Sequence, residues 1–355
     1  MQNVDYLIIG QGVAGSCLAL KLVNESKSFL VIDEDENKAS AVAVGVFNPV
    51  VLKRFALIWN AAEQIRLMHC YFGDFEKLLD LKLVSEMPTY RIFKNPDEIN
   101  VWKRKSENAD LKDFISDEIF ENQFQNINTA YGYAEVRQTG RVDLENCLKG
   151  FKEYLIDKEQ YINQRFDYSE LKIKEDCVIY KNVTANKIVF CEGFGVTKNP
   201  FFNYLPVIGV KGEVLRIKTE TEIPQAVWKA HNFLMPVDGK ICFTASTYDR
   251  DDLTPEPTEK GKQEIMMRLD EIYKGKYEIL DHTAGIRPTI VDRRPVIGSH
   301  PDLKNIFILN GMGTRGTLLA PQMTEYLFDF IENGKDIEKQ ADVRRFDKLY
   351  NLESK

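Results

Sequence analysis

The sequence predicts an α/β protein: a largely parallel sheet flanked by helices, with a second, α+β unit of mixed sheet threaded through it. Three observations carry this expectation. The apolar run Val4–Ile9 enters a glycine turn and then a segment with helical spacing. A second apolar run, Phe29–Ile32, ends in acidic residues. Two more strands that run into glycines, near residues 185–195 and 305–316, come only after long insertions, so the first sheet is gathered from distant parts of the chain. The 355 residues allow two intertwined domains around a large core. With 44% hydrophobic and 28% charged residues, disorder, collagen and coiled coil are excluded.

The first element is the most specific. Gly10-Gln11-Gly12-Val13-Ala14-Gly15 follows the strand at once, and Cys17, Leu18, Leu20, Leu22 and Val23 continue as a helix. Gly10 suits the tight turn, Gly12 lets backbone approach a pyrophosphate, and Gly15 permits close helix–strand packing. The phosphates would rest on a helix N-terminus, where free N–H groups and the dipole favour negative charge. Asp33 and Glu34 stand about twenty residues on, where a carboxylate for a ribose hydroxyl is expected. Strand, glycine turn, helix and acid together predict a Rossmann-like FAD/NAD(P)-binding domain, without separating flavin from nicotinamide.

Three later segments address that choice. Ser40–Pro49 is rich in small residues, so backbone at Gly45 and Val46 could lie against a flat ring. The strand 185–190 then enters Cys191-Glu192-Gly193. Finally, the strand 305–309 runs through Asn310-Gly311-Met312-Gly313-Thr314-Arg315-Gly316 into a helix from about Thr317 to Ile331, with Pro321 early enough to be tolerated. A second helix N-terminus of this kind can stabilise negative charge on a reduced flavin ring, which a nicotinamide carrier does not require. FAD is therefore favoured over NAD.

The stretches YLIIGQGVAGSCLALKL, AVGVFNPV, GRVDLENCLKGF, KIVFCEGFG, GVKGEVLRI, AGIRPTIVDRRPVIG and NGMGTRGTLLAP, in this order, span nearly the whole chain. Together they resemble the D-amino-acid oxidase and glycine oxidase superfamily of FAD-dependent amine oxidoreductases. Within it, YDRDD and Gly313–Gly316 look most like the FAD domain of the bifunctional tRNA wobble-uridine enzyme that removes a carboxymethyl group. The resemblance implies cofactor contacts from Gly10, Gln11, Gly12, Val13, Ala14, Gly15, Asp33, Glu34, Ser40, Gly45, Val46, Tyr168, Cys191, Glu192 and Gly193. It implies the same for Gly313, Thr314, Arg315, Gly316, Thr317 and Leu318. It also implies that Arg287, in Ala284-Gly285-Ile286-Arg287-Pro288, binds a substrate carboxylate, which suits a planar guanidinium able to grip both oxygens. Tyr248, at the end of the strand-like run 240–249, and Arg315 are further candidates for substrate contact.

Some departures from the resemblance matter. Sarcosine oxidase-like relatives carry a lysine in the roof strand for oxygen activation and a cysteine near the Arg-Pro segment for covalent attachment. Neither occurs in 241–249 or 285–297. A non-covalent flavin is expected, with rapid reaction with oxygen in doubt. His282 and His300 flank the Arg-Pro segment and read as hydrogen-bonded structural residues.

The implied activity is FAD-dependent oxidation of the C–N bond of a small carboxylate-bearing amine. Two alternatives remain: the same chemistry on a tRNA nucleoside, or a flavin-binding structural subunit of a larger complex. The balance of 47 basic and 54 acidic residues gives −7, so no global positive field holds nucleic acid or anionic lipid. Any tRNA contact would be local. The six cysteines lie far apart, with no pair at metal-ligand spacing, so no metal site is expected. No apolar stretch is long enough for a membrane helix and no leader is evident, which points to a cytoplasmic protein with reduced thiols.

The expected organisation is a discontinuous FAD-binding domain of residues 1–50, 140–205 and 280–340. A substrate domain of 51–139 and 206–279 and a tail of 341–355 complete it. A helix is expected from about Phe55 to Leu81, interrupted near Gly73. The polar segment 94–128 reads as surface of the substrate domain, and 336–355 as a solvated helix.

Overall fold

The computed structural model describes residues 2–34, 39–121 and 123–353. In chain order, the elements that build the site are β1 (Gln2–Ile9), α1 (Val13–Asn24), β2 (Phe29–Asp33), α2 (Ala61–Leu79), β3 (Val183–Phe190), β4 (Val207–Thr219), β5 (Val227–Lys229), β6 (Phe233–Asp238), β7 (Ile241–Ala245), β8 (Tyr277–Ile290), β9 (Ile306–Asn310) and α3 (Gly316–Asn333).

The first sheet has eight strands in the order Tyr161–Asn163, β2, β1, β3, Val178–Tyr180, Leu171–Ile173, with β9 also on β3 and Val296–Ser299 on β9. Its central strands, β2, β1, β3 and β9, run parallel. Side chains such as Tyr6, Ile8, Val31 and Val189 on one face, and Leu7, Leu30, Ile188 and Ile308 on the other, are buried in two separate cores. Burial on both faces explains why these strands read as continuous apolar runs rather than alternating ones. The register aligns Ile9 with Ile32 and with Phe190, and Phe190 with Ile308. All four strands therefore end on one edge, which brings together Gly10, Asp33, Cys191 and the turn after Asn310. This is the edge at which open α/β sheets bind ligands.

The second sheet has seven strands in the order β8, β4, β7, β6, β5, Thr89–Ile92, Tyr133–Val136. It is antiparallel except where β5 runs parallel to Thr89–Ile92. The helix Glu259–Leu269, capped by the Thr258 hydroxyl, covers one face by burying Ile265 and Leu269 against Leu215, Ile217 and Trp228.

Several expectations are corrected. The joint at residue 280 cuts through β8, which pairs with β4 from Tyr277 to Ile290, so the second sheet extends eleven residues further than expected. The helix α2 is uninterrupted and begins at Ala61. Residues 50–57 before it form a short hairpin, and Phe55 has a left-handed backbone (φ +47°). Gly73 costs an isolated helix about 1 kcal/mol, but burial of Met68, Phe72 and Phe75 against α1 and α3 outweighs it. Thus α2 packs on the first sheet's helical layer and not in the second unit. The segment after Lys94 is more than surface. Asn95 caps the helix Pro96–Ser106, whose fully buried Trp102 donates to the Ser116 carbonyl and packs edge-on against Phe55 and Phe93. The C-terminal segment is likewise anchored. Ala341 and Val343 are buried, and Arg345 pairs with Asp292 while donating to the Pro295 carbonyl.

Candidate active site

Between the strand ends of the first sheet and one face of the second lies a cavity of about 770 Å³. The chain turns into it at Gly10 (φ +100°), where a Cβ would stand 2.6 Å from the Cys191 carbonyl oxygen. A Cβ on Gly15 would lie 1.9 Å from the Gly10 carbonyl oxygen, so the first turn of α1 can pack on β1 only with glycine there. A Cβ on Gly12 would meet only Ser40 Oγ, at 3.3 Å, leaving the space before it to the cavity.

Two helices point their N-termini inward. Gly12, Val13 and Ala14 of α1, and Gly313, Thr314, Gly316 and Thr317 at the start of α3, all line the wall. Neither helix has a side-chain cap. Ser40 Oγ accepts from the Val13 amide, at 3.1 Å. Among the described residues the amides of Gly316 and Thr317 donate to no protein acceptor. Exposed first-turn amides of this kind are ready to receive an anion or a carbonyl.

Asp33, Glu34, Ser40, Gly45, Val46, Tyr168, Cys191, Glu192 and Gly193 also line the cavity. Asp33 is tied to the glycine turn, accepting from the Gln11 amide (2.9 Å) and the Tyr161 hydroxyl (3.2 Å). Glu192 accepts from the Tyr168 hydroxyl and from Asn199 Nδ2 (2.7 Å). Burial pushes its carboxyl up to about 7, against the opposing pull of both hydrogen bonds.

Arg287 enters from the opposite wall. It sits on β8, and its guanidinium lies over Gly212 of β4, where a Cβ would be only 1.8 Å from Nη2. Nη2 donates to Ser246 Oγ (2.8 Å) and Nη1 to the Thr247 carbonyl (3.4 Å). Among the described residues no carboxylate pairs with it. Burial lowers its pKa, opposed by the Tyr248 hydroxyl. A guanidinium does not shed its proton, so that lowering expresses the cost of a charge held away from water, which a bound carboxylate would offset.

Other candidates fall elsewhere. Tyr248 is 50% exposed and does not line the cavity. Arg315, the residue capping α3, faces a separate cavity of about 130 Å³ beside Asn48, Val50 and Leu318. It therefore does not join Arg287, and Leu318 likewise lines only that smaller space. Gln11 is buried with its amide on Ser16 Oγ and the Leu148 carbonyl. His282 pairs with Glu213 (2.7 Å), and His300 is packed among Phe202 and Tyr350, both outside the cavity. Lining residues that were not singled out in the sequence include Gly212, Lys229, Phe233 and Ser246. Lys229 is a lysine in the roof sheet, two strands from the run 241–249 in which one was sought. No group of three or more potential metal ligands occurs among the described residues.

A family model described as DAO, FAD dependent oxidoreductase, matches residues 5–329. The chain belongs to this family. It is an FAD-dependent oxidoreductase. Among curated relatives, glycine oxidase of Bacillus subtilis is 20% identical over 94% of both chains. A bifunctional tRNA 5-methylaminomethyl-2-thiouridine biosynthesis protein of Marinobacter nauticus is 28% identical over 42% of this chain, a match that spans only 26% of that relative's length. Two solved structures share the fold. Glycine oxidase of Bacillus cereus has a TM-score of 0.77 at 20% identity, covering 94% of this chain and 96% of its own. Glycine oxidase of Geobacillus kaustophilus has 0.78 at 17% identity, covering 98% of each.

The residues present fit FAD. The cavity runs from Asp33 and Glu34 past the N-termini of α1 and α3 to Arg287, with Gly45, Ala245 and Gly285 among its lining. Among the described residues no helix is long and apolar enough to cross a membrane.

Proposed function

We propose that the protein oxidises the C–N bond of a small amine bearing a carboxylate. The observation carrying this reading is Arg287, a guanidinium facing the cofactor cavity with no acidic partner of its own. Ser246 Oγ and the Thr247 carbonyl hold its fork in place, leaving the remaining N–H groups to grip a carboxylate and so fix the carbon next to nitrogen. FAD, bound non-covalently, supplies the two-electron acceptor for the hydride from that carbon. In this reading the α1 N-terminus receives the pyrophosphate, Asp33 and Glu34 the ribose, and the Gly316 and Thr317 amides the pyrimidine edge of the ring. Water then hydrolyses the imine to a free amine and an oxo acid.

A second reading, the same oxidation on a carboxymethylated nucleoside of tRNA, is supported by the tRNA-modifying relatives. The net charge of −7 gives it no help from a general positive field.

The test is an anaerobic visible spectrum of the holoenzyme with glycine derivatives, D-amino acids and carboxymethylaminomethyl-uridine. Bleaching by a carboxylate-bearing amine is expected. In Arg287→Ala, kcat/KM should fall by roughly 10- to 150-fold, corresponding to about 1.5–3 kcal/mol of charge-assisted bonding. Unchanged kcat/KM in that variant would remove Arg287 from the site, and a flavin that no amine bleaches would remove the reading.

A further inference from the structure

Arg287 is not the only cation on the roof. Lys229, at the end of β5, lines the same cavity. It pairs across the sheet with Phe233, Phe233 with Ala245, and Ala245 with Val214, and all four residues face the cavity from one row of the roof. Among the described residues no carboxylate lies within ion-pair distance of Lys229. Its one hydrogen bond goes to the His231 carbonyl (2.8 Å), so two of the three ammonium N–H groups remain to be used.

The groups around it are all positive or already paired. Arg91, beside it in the next strand, is bound to Glu98 (2.6 Å), and Arg268 to Glu264 (2.7 Å). Lys94 adds a further positive charge, and the acid Glu271 acts on His231 rather than on Lys229. Burial and these cations hold the ammonium down to about 8, so it is still mostly protonated at neutral pH. The ammonium also lies 5.8 Å from the centroid of the Phe233 ring, yet among the described residues no carboxylate pairs with it, and its place on a ligand cavity points to an acidic ligand.

We propose that Lys229 forms a distal acid-binding subsite, so that the substrate is an amine carrying two acidic groups, one held by Arg287 and the other by Lys229. This rests on the amine-oxidation reading. The spacing follows from the sheet: β5 is three strands from β4, where the Arg287 guanidinium sits. The row through Lys229 meets β4 at Val214, two residues from the Gly212 that lies under the guanidinium. At about 4.8 Å per strand and about 3.3 Å per residue the two positions are roughly 16 Å apart, and about 3 Å of hydrogen bond at each end leaves roughly 10 Å between the acidic groups. Phe233 lines the roof between them, so the connecting chain is apolar.

The test uses the holoenzyme and unreactive probes: straight-chain dicarboxylates from succinate to sebacate, each against the monocarboxylate of equal length, titrated calorimetrically. One of the longer dicarboxylates should bind at least about tenfold tighter than its monocarboxylate, the size of one charge-assisted contact. That advantage should vanish in Lys229→Met, persist in Lys229→Arg, and shrink in the wild type as pH rises through about 8. No advantage at any length, or one that survives Lys229→Met, overturns the proposal. If Lys229→Met does not fold, a pH-independent advantage in the wild type overturns it equally. Because these probes need no turnover, failure to bleach the flavin with amines would sink the amine reading while leaving the two-acid subsite measurable. Bleaching by simple glycine derivatives without a dicarboxylate advantage would do the reverse.

Discussion

Replacing Gly212 by alanine offers a way to move Arg287 without removing it. The added Cβ would stand 1.8 Å from Nη2, 2.0 Å from Cζ and 2.2 Å from Nη1. Ordinary contact begins near 3.5 Å, so the whole guanidinium must retreat by more than 1 Å. The fold should tolerate this. Gly212 lies in the middle of a long paired strand without a positive φ, where alanine is at least as good as glycine, and what yields is the end of a flexible side chain. The substrate grip should not. The Ser246 and Thr247 bonds that aim the fork would be lost, and a misplacement of about 1 Å costs on the order of 100-fold when a reacting carbon must be held in line. Anaerobic stopped-flow reduction of the flavin against amine concentration reads this directly, with the melting temperature as control. We expect kred/Kd down by about two orders of magnitude, with stability changed by less than about 1 kcal/mol. Reduction within a few-fold of wild type, in a variant that melts normally, would refute the view that Arg287 in its observed position holds the substrate.

Two further outcomes follow from the cofactor end. Gly15→Ala would push a Cβ to 1.9 Å from a backbone oxygen that cannot swing away, so purified protein should carry much less FAD, measured by the flavin-to-protein absorbance ratio; full occupancy would contradict the packing argument. Glu192 has a carboxyl raised by burial to about 7 from an ordinary 4.5, so the unfolded chain ionises it before the folded one does. Its contribution to stability is thus present below about 4.5 and lost as pH rises towards 7. The melting temperature of Glu192→Gln relative to wild type should improve between pH 5 and pH 8, and a difference that stays flat would show that Glu192 is ionised throughout.

The division between what local sequence and what tertiary structure determine is physical. The glycine turn, its strand and helix, and the acids at Asp33 and Glu34 were legible because each depends on neighbours in the chain: φ at Gly10, contact of Gly15 with Gly10, and the length of one strand–helix–strand unit. Arg287 was legible only through resemblance, since nothing beside it in sequence distinguishes a substrate ligand from a structural arginine. Arg315 and Tyr248 stood behind it as candidates, and the structure keeps them apart from it: the start of α3 sends one side chain to a separate cavity and the end of β7 leaves the other half exposed. Gly212 and Ser246 lay inside stretches already noted but were not singled out, and Lys229 gave no signal at all. They meet Arg287 around one cavity through the antiparallel register of β4, β5, β6, β7 and β8, which brings residues 212, 229, 246 and 287 onto one roof. Local chemistry in the sequence determined where the dinucleotide can rest; the cross-strand register, a sum of non-local burial terms, decided which cations face it and how far apart they stand.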